Sequence, residues 1–81
     1  MENSQHIASA QPDNLIKMAN EIAAYNLHHG DIEDAATLVA SHMKKFWARP
    51  MKKKIISYLQ EDGSALSDTA RRATELLAQS A

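Results

Sequence analysis

Six of the chain's nine Lys and Arg residues fall within eleven positions, Lys44 to Lys54 (KKFWARPMKKK), with no acidic residue among them. A charge of plus six in so short a stretch has one obvious use, which is to hold an anion: the acidic face of a protein, an anionic cofactor or a nucleic-acid backbone. Phe46, Trp47 and Met51 lie inside the same stretch. Aromatic side chains among cations are a common composition for an interface anchor, and an indole can also stack on a base. The competing account is structural: the lysines solvate two helix ends while Phe46, Trp47 and Met51 enter the core. Helical spacing assigns Phe46 to the core and puts Trp47 at the margin of the buried stripe, just before the Arg49-Pro50 corner, where it does not decide between a buried indole and an exposed one. The candidate partner-binding residues are therefore Lys44, Lys45, Trp47, Arg49, Lys52 and Lys53.

No other group of residues has a spacing suited to catalysis or metal binding. Of the four histidines, His28 and His29 are adjacent and cannot both aim at one ion from a helix, while His6 and His42 lie far from them. No HExxH spacing is present, and the histidines read as surface or packing residues. Gly30 and Gly63 each follow a predicted helix and belong to no dinucleotide or phosphate-binding loop. The acids are scattered or stand in first helical turns, where capping explains them, and no serine sits in a nucleophile-elbow context. The chain has no cysteine, which excludes disulfides, a thiolate nucleophile and thiolate-held zinc or iron–sulfur clusters. The expectation is a non-catalytic protein with no catalytic and no metal residues.

Eighty-one residues suffice for one domain of modest stability. The formal net charge of −1 makes the whole chain a poor polyanion binder, with Glu33, Asp34, Glu61 and Asp62 giving a polarised surface. No run approaches the ~20 apolar residues of a membrane span, and the first dozen residues lack the regions of a secretory signal. A cytoplasmic protein is expected. Met1 to Pro12 is polar and reads as a flexible tail, and residues 13–81 read as a single helical domain.

From Asp13 a helical period begins, with Leu15, Met18, Ala19, Ile22 and Ala23 on one face, and it predicts a first helix to about His29. Asp31 caps the second, in which Ile32, Ala35, Ala36, Val39, Met43 and Phe46 fall within about 120° of arc at ~100° per residue. Pro50 stops that helix and suits the first turn of a third, whose inner face is Met51, Ile55, Tyr58 and Leu59 and which ends by Gly63. Ser67 caps a fourth, carrying Ala70, Ala73, Leu76 and Leu77. Nothing alternates with period two. The predicted class is all-α, a small bundle of four short helices.

Two segments in order resemble the delta subunit of NAD-dependent formate dehydrogenase over roughly Asn14 to Leu77. The family's Lys-Met-Ala-Asn is matched by Lys17, Met18, Ala19 and Asn20, and its His, two basic residues and Phe-Trp by His42, Lys44, Lys45, Phe46 and Trp47. A proline and a methionine followed by basic residues come next. The family usually reads Phe-Trp-x-Pro-x-Met; here Pro50 stands one position later, while the distance from Phe46-Trp47 to Met51 is kept. Lysine also stands where arginine is common.

The resemblance implies an accessory subunit of a soluble, molybdenum-containing complex that oxidises formate and reduces NAD, supporting assembly, stability or cofactor loading. The molybdenum cofactor, iron–sulfur clusters, flavin and NAD are then expected in the catalytic and electron-transfer subunits, and none is bound by this chain alone. In isolation a homodimer is possible through a face the enzyme normally covers. The alternative, carried by the lysine cluster alone, is a small nucleic-acid or polyanion-binding regulatory module. Its third helix offers mainly lysines, which contact backbone rather than read bases.

Overall fold

The described residues form four helices and no strand: α1 (Pro12–Asn26), α2 (Ile32–Phe46), α3 (Arg49–Glu61) and α4 (Asp68–Ser80). They come from a computed structural model that describes residues 12–27 and 30–80. The all-α bundle of four short helices read from periodicity is the observed fold. Pro12, assigned to the tail, instead opens α1, where its missing N–H costs nothing. The rest of the expected tail, residues 1–11, lies outside the described residues, as do His28 and His29. α1 ends at Asn26, short of the expected boundary, and the Asn26 side-chain amide donates to the Ile22 carbonyl at 2.9 Å.

The helix boundaries follow the caps. Asp31 accepts from the Asp34 N–H at 2.9 Å, and Glu33 and Asp34 stand in the first turn of α2, with Lys44 and Lys45 in its last, a charge order that suits the helix dipole. The Asp62 N–H closes α3 on the Tyr58 carbonyl at 2.9 Å. Gly63 then takes a φ of +73°, a left-handed conformation that a side chain would strain. Ser67 caps α4 as expected, its hydroxyl accepting from the Ala70 N–H at 3.2 Å.

One core runs through all four helices. Leu15, Ile16, Ala19 and Ala23 of α1 meet Ala36, Val39 and Met43 of α2, Ile55 of α3, and Ala70, Ala73 and Leu77 of α4, joined by Leu66 and Trp47. α4 makes its most extensive contact with α2, and the fully buried Ala36, Ala70 and Ala73 leave room for close helix approach. Glu33 meets Arg72 near the start of both helices and Lys44 lies near Leu77 and Ser80 at their ends, so the two run in the same sense. Arg72 donates to both Glu33 oxygens at 3.0 and 3.2 Å and to Glu75 at 3.1 Å. These hydrogen bonds, the Glu33 bond first, raise the Arg72 pKa further above its ordinary value.

One assignment is reversed and one left open is decided. Phe46, expected in the core, is 72% exposed, and Trp47, whose exposure the spacing left undecided, is 5% exposed and part of the core cluster. The cause lies at the helix end. Trp47 leaves helical geometry (φ −84°, ψ 136°) while its N–H still bonds the Met43 carbonyl at 3.0 Å, so its side chain no longer follows the α2 wheel. The extended residue carries the indole inward, and Phe46 stays on the last turn without cover. Ile32, at the opposite end of the same stripe, is also 43% exposed. A stripe buries its middle more completely than its ends.

Candidate docking groove

The last turn of α2, the first turns of α3 and the end of α4 converge on a groove of about 390 Å³, lined by Lys44, Arg49, Lys52, Lys53, Ile56, Leu77 and Ser80. α2 ends at Phe46 and α3 begins at Arg49 with Pro50 in its first turn, so the two helix ends are adjacent. Four of the six candidate binding residues thus come together around an aliphatic floor. The other two do not: Lys45 is exposed on α2 outside the groove, and Trp47 is buried beneath the corner. The Trp47 indole therefore presents little open surface at the corner.

Charge in the groove is largely uncompensated. The Lys52 ammonium donates to the Lys44 carbonyl at 3.2 Å, covering one of the free carbonyls at the C-terminus of α2. Lys44, Arg49 and Lys53 make no ion pair among the described residues. α3 begins with no acid in its first turn and no side-chain bond at its N-cap, Ala48, so Arg49, Lys52 and Lys53 add positive charge to the positive end of the helix dipole. An anion at this end of α3 would be favoured by both the unpaired cations and the helix dipole.

Two features escaped the residue patterns. Phe46 presents an aromatic surface on the far flank of α2, tilted against His42 with ring centroids 5.0 Å apart. Asn20 of α1 clamps the α3–α4 loop, donating to the Ala65 carbonyl at 3.0 Å while accepting from the Ser67 N–H at 2.8 Å. Within the Lys-Met-Ala-Asn segment, then, Ala19 is core and Asn20 ties two distant segments together. An unpaired amide on the half-buried side of a predicted helix was the available signal; its partners, 45 and 47 residues away, were not visible in the sequence.

Fold and groove together define a small helical module with a cationic recess, in which no three His, Cys, Asp or Glu residues converge on a metal position among the described residues. The pattern of the NADH-dependent formate dehydrogenase delta subunit family, FdsD, matches residues 14–74, and the chain belongs to that family. The match spans both the Lys17–Asn20 and the His42–Lys54 segments. No curated protein and no solved structure matches the chain. The chain holds no cysteine, so it offers no thiolate ligand to an iron–sulfur cluster.

Proposed function

We propose that the chain is a non-catalytic accessory subunit of a soluble, cytoplasmic formate dehydrogenase complex, and that it supports assembly, stability or cofactor loading of the catalytic subunit through its basic corner. The family match over residues 14–74 carries this reading. The molybdenum cofactor, iron–sulfur clusters, flavin and NAD belong in this reading to the partner subunits. No helix among the described residues is long and apolar enough to cross a membrane, which is compatible with it. The unpaired cations of the groove supply a docking surface of the right sign for an acidic partner.

Co-expression of the catalytic and electron-transfer subunits with and without this chain tests the proposal. Omission should lower the yield of intact complex, its molybdenum content or its formate-dependent NAD reduction, and a tag on this chain should recover the catalytic subunit. Equal yield, metal content and activity without the chain would refute it. A polyanion-binding module gains little from the structure, since the groove floor is aliphatic and the indole is buried.

A further inference from the structure

We infer that the groove is a receptor for an acidic segment of a partner protein that carries an aliphatic side chain among its carboxylates. This rests on the accessory-subunit reading and specifies what the partner must present. The groove is amphipathic: Arg49, Lys53 and Lys44 lack acidic partners among the described residues, and they surround the half-buried Ile56 and the nearly buried Leu77. Carboxylates satisfy the rim and an aliphatic side chain covers the floor; neither alone satisfies both.

Size and cation type narrow the occupant. About 390 Å³ is at the small end of ligand pockets, enough for one large side chain with its flanking backbone. A nucleic-acid strand needs a continuous cationic track and aromatic platforms; here the indole lies in the core and Phe46 is on the opposite flank of α2. Phosphate groups are best gripped by guanidinium forks, and only one of the four cations is an arginine. Lysines are flexible point charges and suit several carboxylates spread along a peptide. The Ser80 hydroxyl donates to the Leu77 carbonyl at 3.1 Å and is already satisfied.

The test is a titration of the isotopically labelled full chain with acetyl-Glu-Glu-Leu-Glu-Glu-amide, read by amide chemical shifts. Saturable shifts should appear at Arg49, Lys52, Lys53 and Ile56, weaken with added salt, and fall in affinity by about fivefold or more when the central leucine of the peptide is serine, the loss expected for an incompletely buried Leu. Inorganic phosphate and an oligothymidylate should give weaker binding than the peptide.

The double variant Arg49→Glu/Lys53→Glu should abolish the shifts while keeping its melting temperature, because a glutamate in the first turn of α3 favours the helix dipole. Equal affinity for the leucine and serine peptides, tighter binding of the oligothymidylate, or unchanged peptide binding by the folded double variant would overturn the inference. Recovery of the catalytic subunit by that variant at wild-type efficiency would likewise overturn it and leave the accessory role intact. If the wild-type chain fails to recover the catalytic subunit at all, it is the accessory role that falls.

Discussion

Truncating Trp47 to alanine should destabilise the chain far more than truncating Phe46, although the helical wheel of α2 assigns Phe46 to the core. Trp47 is 5% exposed in a core that draws on all four helices, and removing a buried indole costs about 3–5 kcal/mol in transfer and cavity terms. Phe46 is 72% exposed. Complete burial of a phenylalanine is worth roughly 1.5–3 kcal/mol, so the small covered fraction amounts to about 0.4–0.8 kcal/mol, partly offset by the better helix propensity of alanine. A domain of this size has a stability of about 4–12 kcal/mol, and near such a size 1 kcal/mol shifts Tm by about 4–8 °C.

The Trp47→Ala chain should thus lose at least about 12 °C in Tm or unfold at room temperature, whereas Phe46→Ala should stay within about 4 °C of wild type. Far-UV circular dichroism against temperature and urea reads both. Trp47→Phe serves as the milder core variant if alanine unfolds the chain. Trp47 is also the sole tryptophan, so its fluorescence in the wild-type chain should resist quenching by iodide until the protein unfolds. Equal losses at the two positions, or a larger loss at Phe46, would refute the account of the α2 terminus.

Asn20→Ala removes both bonds to the α3–α4 loop and should cost about 1–2 kcal/mol, with faster amide exchange at Ser67; unchanged exchange there would show that the clamp is unnecessary. Gly63→Ala should cost about 1–2 kcal/mol by urea unfolding, since φ is +73° and the new Cβ would meet the Leu59 side chain at 3.2 Å and the Leu59 carbonyl oxygen at 3.3 Å; wild-type stability would contradict the turn described. Charge reversal at Lys45 and Lys53 together should leave helicity and Tm near wild type and weaken recovery of the catalytic subunit, whereas full recovery would reduce the corner to a solvated helix junction. The chain alone should show no saturable binding of NAD in calorimetry at micromolar concentration, and a measurable isotherm would contradict the assignment of NAD to a partner subunit.

Much of the architecture was legible from local rules. The four helices, the Asp31 and Ser67 caps, the turn at Gly63 and the Pro50 junction all depend on interactions within a few residues, which the order of side chains specifies directly. So did the middle of the α2 stripe, because Ala36, Val39 and Met43 are flanked on both sides by residues of the same helix. The presence of a basic cluster was likewise a property of composition.

What local rules do not reach is decided where elements end and meet. Periodicity carries a side-chain direction only while the helix continues, so it could not foresee that Trp47 turns inward after the last turn and leaves Phe46 bare. Nor does it show that Ile56 and Leu77, from helices adjacent to the basic corner, place an aliphatic floor beneath Lys44, Arg49, Lys52 and Lys53 while Lys45 points elsewhere. The amino-acid order by itself determined the helices, their caps and the sign of the charge. Only tertiary packing decided which aromatic is core and which cations share a groove, because burial at a helix end and convergence of side chains 20 or more residues apart depend on the relative placement of whole helices.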